Sequence, residues 1–294
     1  MSISRQNLTV IIVTFKSENV VHECIQSIDK EVKILVVDNS NSVKFKLNIE
    51  KKYKNVTCIL SEENLGMGAG NNLGIKNVKT DFAFILNPDV ILETNTINEL
   101  ITASKRIESF GVIAPIEINQ DYPNYKFDKK VNNFLDKDNP FIVKSVDGYA
   151  MLLNLKKLNL NEEFNYFDEN FFMYLENDDL CKRLIDNNEK IYIVPSSKVK
   201  HLGGQAVDKI YKYEIELLRN WHWIWSKFYF NKKHYGYFFA LINGLPTFIS
   251  SLFKFIIYLI TNNQLKKNIY LKRILGFTNG LFCRRSTYRP KIYD

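Results

Sequence analysis

The chain has 294 residues, 46% hydrophobic and 24% charged, with four cysteines and a formal net charge of +8. That composition belongs to a folded protein with a sizeable core, and with no Gly/Ser/Pro run or internal repeat it excludes a disordered linker and a solenoid. The charge is uneven: from Lys198 onward 17 Lys/Arg stand against 4 Asp/Glu, so the tail carries +13 and residues 1–197 are left with −5. A mildly acidic body with a strongly basic tail suits nucleic acid or an anionic membrane surface as partner.

At the start of the chain Leu8–Val13 is too short for the apolar part of a secretory signal, and no small-residue cleavage site follows it. Cys24, Cys58, Cys181 and Cys283 lie far apart with no C-x-x-C pair. They suit a reducing compartment better than a disulfide framework or a zinc site. The expected location is the cytoplasm.

Short β-rich runs then alternate with helical patterns, which predicts an α/β domain with a largely parallel sheet. Strands are expected at Leu8–Phe15, Lys33–Val37, Val56–Leu60, Phe82–Leu86, Val112–Ile116 and Met151–Leu155. Helices are expected at Val20–Ile28, Thr96–Glu108 and Glu176–Asp186, the last with Leu180, Leu184 and Ile185 at helical spacing. The polar stretch 119–141 reads as a surface loop or hairpin, and Ile191–Val194 as a last strand stopped by Pro195. Beyond about residue 206 the character changes. Trp221, Trp223, Trp225, Phe228, Tyr229 and Phe230 form a dense aromatic cluster. The stretch 238–260 is mostly apolar but interrupted by Pro246 and Lys254, which predicts two helices at a membrane interface; a buried helical hairpin is the alternative.

In open α/β sheets, ligands bind beyond the carboxyl ends of the strands. Asp38 and Asp89 sit at two such ends. One strand-end Asp is commonly a turn former, but two on one sheet edge favour a binding role. Between them N-L-G-M-G-A-G-N-N-L-G-I (64–75) brings Gly66, Gly68 and Gly70 to an expected helix start, a place suited to an anion. It follows the third strand rather than the first, so it is not a dinucleotide fingerprint, and no phosphate loop of the G-K-[ST] type is present. Glu176, Asp178 and Asp179 bunch at a helix start, where acidic charge is favourable in any case. His201 gains meaning only if the fold brings it to Asp89, where an imidazole and a carboxylate share a divalent cation.

Taken in order, V-I-I-V-T-F (10–15), V-V-D-N-S (36–40), the Gly-rich string, L-N-P-D-V (86–90), V-D-G-Y-A-M-L (146–152), F-D-E-N-F-F-M-Y-L-E-N-D-D-L-C-K-R (167–183) and H-L-G-G (201–204) resemble inverting glycosyltransferase family 2, specifically its rhamnosyltransferase-like members. The resemblance covers roughly residues 8–205. It implies a GT-A fold: a Rossmann-like, mixed, mainly parallel sheet flanked by helices, here followed by a helical, basic, membrane-associating tail over 206–294. It further implies that Thr14, Phe15 and Asp38 hold the nucleoside and that Asn64, Gly66 and Gly68 lie near the base and ribose. Asn87 and Asp89 occupy the place of the D-x-D motif, Asp147 and Gly148 lie beside the transferred sugar, and Asp89 and His201 contact Mg²⁺ or Mn²⁺. The general base comes from the acidic group opening the helix at Glu176.

One departure affects that base. Where many relatives have Glu-Asp, this chain has Glu176-Asn177, and asparagine cannot take a proton. Glu176 is the favoured base, with Asp179 and Asp178 as alternatives. The implied reaction moves a sugar, rhamnose from dTDP-rhamnose, onto a glycan or lipid-linked glycan in surface polysaccharide synthesis at the inner face of the cell membrane. A UDP-sugar transferase and a non-catalytic nucleotide-sugar-binding scaffold are the alternatives. A nucleic-acid partner is disfavoured, because the basic residues surround an apolar segment; homo-oligomerisation through the aromatic tail stays open.

Overall fold

The computed structural model describes residues 2–127, 139–160, 164–207 and 209–289. The predicted polar stretch 119–141 therefore falls partly outside the described residues. In chain order the elements are β1 (Leu8–Thr14), α1 (Val21–Ser27), β2 (Lys33–Asp38), α2 (Val43–Lys52), β3 (Val56–Leu60), α3 (Gly66–Asn77), β4 (Phe82–Leu86), β5 (Val90–Leu92) and α4 (Thr96–Arg106). There follow β6 (Val112–Glu117), β7 (Tyr125–Lys126), β8 (Phe141–Ile142), β9 (Ser145–Val146), β10 (Ala150–Asn154), α5 (Leu155–Leu158), α6 (Glu176–Asp186) and β11 (Ile191–His201). Three long helices end the chain: α7 (Lys212–Tyr235), α8 (Tyr237–Ile260) and α9 (Gln264–Leu281).

The chain divides into two compact units, one of Met1–Asp168 with Asn177–Asp208 and one of Glu169–Glu176 with Lys209–Asp294. The first is built on one sheet in the order β3-β2-β1-β4-β10-β6-β11-β5, with β8 beside β11. β3, β2, β1 and β4 run parallel, β10 is inserted antiparallel between β4 and β6, and β11 runs parallel to β6. Strand periodicity sorts the side chains to the two faces. Val10, Ile12, Ile34, Val36, Phe82 and Phe84 pack with Val21, Ile25, Phe45, Ile49 and Leu100. Ile11, Ala83 and Ile85 pack on the other face with Ile75, Leu180, Cys181 and Leu184. Strands covered on both faces read as continuous apolar runs, which is why β1 is buried at all seven positions.

Two local differences from the sequence reading shape this unit. A helix, α2, forms where none was expected; Ser42 caps it by accepting from the Phe45 N–H at 3.2 Å, and only Phe45 and Ile49 anchor it, a one-turn spacing too sparse to stand out. Pro195 does not stop the last strand. The ladder between β11 and β6 slips between Val194 and Lys198, so the proline falls where no ladder hydrogen bond is required, and the strand continues to His201.

The second unit is helical. α8 is a single helix with Pro246 inside it, not two helices. α7, α8 and α9 approach closely at glycines. A Cβ on Gly244 would come within 2.5 Å of the Phe277 ring, one on Gly280 within 3.0 Å of Phe228, and one on Gly276 would collide with the Trp221 carbonyl. Trp221 and Trp225 are buried in this packing and Trp223 is exposed, so the aromatic cluster seen in the sequence divides between interior and surface. The chain after α9 is fastened back to α7: Trp225 Nε1 donates to the Arg284 carbonyl at 3.0 Å, and His222 Nε2 donates to the Tyr288 carbonyl at 2.8 Å.

Candidate functional site

The parallel strands deliver a set of polar residues to their carboxyl ends. Thr14 ends β1 directly opposite Asp38, the last residue of β2. Its hydroxyl donates to Asp38 Oδ1 at 3.1 Å, while the backbone N–H groups of Ser40 and Ser42 donate to Oδ1 and Oδ2 at 3.2 and 2.9 Å. The buried carboxylate therefore organises its own turn. Phe15 follows at partial exposure. Asn64 Oδ1 accepts from the Gly66 N–H at 3.1 Å, and Gly66, at φ 80°, adopts a backbone conformation that glycine enters without strain.

The Gly-rich string lies mostly inside a helix. α3 begins at Gly66, so Gly68 and Gly70 lie within the helix. A Cβ at Gly70 would come to 2.9 Å from Val13, and one at Gly74 to 2.5 Å from Ile11. Gly70 and Gly74, one turn apart, thus let α3 lie directly on β1; their absent side chains serve helix–sheet packing.

The turn after β4 carries Asn87 and Asp89. Asn87 is anchored by its backbone, its N–H donating to the Tyr149 carbonyl at 2.9 Å. Asp89 is buried; its backbone carbonyl accepts from the Leu202 N–H at 3.0 Å and its Oδ2 from the Gln205 N–H at 3.2 Å. His201 is brought to it by the antiparallel pairing of β11 with β5, in which His201 stands opposite Val90. His201 Nε2 lies 3.4 Å from Asp89 Oδ1, an ion-pair separation without hydrogen-bond geometry. Asp89 Oδ1 and Asn87 Oδ1 are both buried with no hydrogen-bond partner among the described residues. Buried acceptors left unmatched are costly, and a cation is one means of satisfying them.

Glu117 completes this cluster, and it was not singled out in the sequence. Buried at the end of β6, its Oε2 accepts from the His201 N–H at 3.0 Å and from the Tyr149 hydroxyl at 3.1 Å, while the Tyr149 ring stacks on the His201 imidazole at 4.1 Å. Burial, reinforced by the Glu117 charge, raises the Tyr149 phenol far above its ordinary value and keeps it a donor. Asn124, fully buried, accepts from the Glu117 N–H at 3.0 Å and gives its own carbonyl to the Asp147 N–H at 2.8 Å. The signal for Glu117 was present: V-I-A-P-I-E is a third apolar strand ending in a carboxylate.

Asp147 and Gly148 follow β9. Burial raises the Asp147 carboxyl above its ordinary value, with Lys126 opposing and Asp178 reinforcing the shift. Asn177 lies against them: its Nδ2 donates to the Val146 carbonyl at 2.8 Å, and a Cβ on Gly148 would approach the Asn177 Cβ at 3.1 Å. Asparagine at 177 is thereby explained as a donor to a carbonyl, a bond that an ionised aspartate cannot make.

The acidic candidates on α6 differ in kind. Asp179 is fully buried and paired with Arg183 Nε at 2.8 Å. Asp178 is held by Lys126 Nζ, 2.9 Å from both carboxylate oxygens. Glu176 is the first residue of α6, and the two residues before it, Tyr174 and Leu175, have φ of 70° and 67°. Left-handed conformations at non-glycine residues cost about 1–3 kcal/mol each and persist where the surroundings impose them.

Comparison with known proteins bears on this geometry. A model of the family described as glycosyl transferase family 2 matches residues 9–159. The low-salt glycan biosynthesis hexosyltransferase Agl10 of Haloferax volcanii is 26% identical over 219 residues, covering 69% of each chain. The rhamnosyltransferase WbbL of Escherichia coli is 26% identical over 221 residues, 65% of this chain and 82% of that protein. The mannosyltransferase PcManGT of Pyrobaculum calidifontis, solved with GDP-Man and Mn²⁺, superposes with a TM-score of 0.57 at 11% identity over 95% of this chain and 88% of its own.

Proposed function

The chain belongs to glycosyl transferase family 2, and from that membership we propose that it is an inverting, divalent-metal-dependent transferase moving rhamnose from dTDP-rhamnose to a glycan or lipid-linked glycan acceptor. The observation that carries the metal-dependent reading is the buried Asp89 Oδ1, without a hydrogen-bond partner among the described residues and 3.4 Å from His201 Nε2. Among the described residues no three His, Cys, Asp or Glu side chains gather as a self-sufficient metal site. A carboxylate and an imidazole fit Mg²⁺ or Mn²⁺, which Asp89 and His201 would hold. Such an ion supplies neutralisation of the negative charge that grows on the leaving nucleoside diphosphate. Glu117 and Tyr149 hold the His201 backbone and ring, so its Nε2 is presented at a fixed place.

Thr14, Phe15 and Asp38 hold the nucleoside, with Asn64, Gly66 and Gly68 near base and ribose and Asn87, Asp147 and Gly148 beside the diphosphate and sugar. Glu176 takes the proton of the acceptor hydroxyl as its oxygen attacks the anomeric carbon; the new C–O bond forms as the bond to the diphosphate breaks, so configuration inverts. Asp178 is paired with Lys126 and the fully buried Asp179 with Arg183, which counts against either of them as the base. The rhamnose assignment rests on the likeness to WbbL.

We further propose that the protein works in the cytoplasm, held on the inner membrane face by α8. Among the described residues α8 is the one helix long and apolar enough to cross a membrane, and Phe238, Ile242, Ile249, Phe253, Ile256 and Ile260 all lie exposed on it. Lys254, Lys266, Lys267, Lys272 and Arg273 supply charge of the sign that anionic headgroups attract. A thermal-shift panel of dTDP-rhamnose, UDP-sugars and GDP-mannose with and without Mn²⁺ tests the donor and metal together. Stabilisation by dTDP-rhamnose that requires Mn²⁺ or Mg²⁺ is expected; stabilisation by a UDP-sugar alone would reassign the donor, and none by any nucleotide sugar would refute the transferase and the nucleotide-sugar-binding scaffold alike.

A further inference from the structure

The turn that ends in Glu176 belongs to the helical C-terminal unit rather than to the sheet-based one. Four successive residues of that turn are gripped by α7. Phe171 meets Tyr229 edge-on at 4.9 Å, and Phe172 stacks on His222 at 4.7 Å. The Met173 carbonyl accepts from the Ser226 hydroxyl at 2.8 Å, and Tyr174 meets Trp223 edge-on at 5.4 Å. His222, Ser226 and Tyr229 are spaced four and three residues apart, so they form one stripe of the helix, with Trp223 at its flank. Arg289, in the segment after α9, lies 3.9 Å over the Phe172 ring and fastens the turn from a second direction.

We propose that α7 is the seat that positions the general base, with Trp223 and Ser226 as positioning residues; the inference rests on the reading of Glu176 as that base. Tyr174 and Leu175 are both left-handed although neither is glycine. Glycines would reach that backbone shape without strain but would leave Glu176 on a loose hinge. The chain instead uses a tyrosine whose ring is caught by Trp223 and a backbone carbonyl caught by Ser226, immediately before the catalytic side chain. Grips so placed hold the turn up to Glu176 itself, and general-base catalysis is sensitive to displacement of about 1 Å.

The test uses full-length Trp223→Ala, Trp223→Phe, Ser226→Ala, Glu176→Gln and the double variant Trp223→Ala/Glu176→Gln. Trp223 is 44% exposed, so its truncation leaves the packed interior of the unit in place. The readout is hydrolysis of the nucleotide sugar that gives the largest shift in the panel above, with water standing in for the acceptor. Trp223→Ala and Ser226→Ala are each expected to lower kcat by about tenfold with donor KM within about twofold, and Trp223→Phe to restore most of the rate. The double variant is expected to be no slower than Glu176→Gln, because a lost position cannot matter once the base is gone. Rate losses that multiply in the double variant, or an undiminished kcat in both Trp223→Ala and Ser226→Ala, would overturn the positioning role and leave the base reading standing. Full turnover by Glu176→Gln would remove the base reading and the positioning role with it.

Discussion

Lowering the pH should loosen the C-terminal unit, and His222 is the reason. Its imidazole is buried, with Nε2 donating to the Tyr288 carbonyl and Nδ1 at 3.2 Å from the Ser286 hydroxyl, the arrangement of a neutral ring. Burial, aided by the Arg289 charge and opposed by the bond to Tyr288, pulls its pKa from 6.5 down to about 4. The folded value lies below the unfolded one, so between those limits the unfolded chain binds the extra proton. Stability is therefore intact above pH 6.5 and is lost as pH falls towards 4. At about 1.4 kcal/mol per pH unit, the loss over that window is about 3 kcal/mol, a large share of the stability of a small helical unit. The chain's three tryptophans, Trp221, Trp223 and Trp225, all lie on α7, so intrinsic fluorescence reports this unit alone. Urea midpoints followed by tryptophan emission should fall between pH 6.5 and 4 in the parent. In His222→Gln they should start lower at pH 7.5 and vary less with pH. A difference between parent and variant that stays constant from pH 7.5 to 4.5 would refute the reasoning.

Three further outcomes are expected. Asp89→Ala should abolish transfer and the metal-dependent part of nucleotide stabilisation while leaving circular dichroism unchanged; near-full activity would end the metal reading. Gly276→Ala should destabilise the C-terminal unit by about 1–3 kcal/mol despite the better helix propensity of alanine, because the new methyl meets the Trp221 carbonyl; a raised Tm would contradict the close approach. Full-length protein should float with anionic liposomes at low salt, less so at high salt, and Ile249→Asp/Phe253→Asp should stay at the bottom of the gradient. A parent that stays at the bottom, or the same pair of changes merely converting a dimer to a monomer, would replace the membrane by a second copy of the chain.

The first unit was largely legible because its strands are covered on both faces. Such strands are long, β-branched and uninterrupted, and their polar ends announce the sheet edge, as Thr14, Asp38 and Asp89 do. What escaped was set by tertiary context. The role of Gly70 and Gly74 depends on the β1 side chains beneath them. Pro195 reads as a strand terminator unless the partner strand is known to slip beside it. Glu117 ends its strand like the other two carboxylates, but its work, holding the backbone of His201, joins residues 84 positions apart. The pairing of Asp178 with Lys126, 52 positions away, was equally hidden.

The aromatic cluster of the tail divides for a reason that helical geometry supplies. Tryptophans at 221, 223 and 225 cannot share a helix face: positions four apart lie together, and the one between them points nearly opposite. Trp221 and Trp225 accordingly form the interior with Phe228 and Phe277, and Trp223 is left outside to hold Tyr174. The apolar character that those rings suggested resides on α8 instead. There, Ala240, Gly244, Phe248 and Ser251 make the packed stripe, while Phe238, Ile242, Ile249, Phe253, Ile256 and Ile260 stand exposed among the described residues. Pro246 within that helix removes one backbone donor, a loss of about 3 kcal/mol in the interior of a water-exposed helix that transmembrane and interfacial helices commonly accommodate. A helix that keeps a proline and leaves Phe238, Ile242, Ile249, Phe253 and Ile260 uncovered is poorly matched to water, and the lysines and arginines around it match a surface that is apolar within and anionic at its boundary.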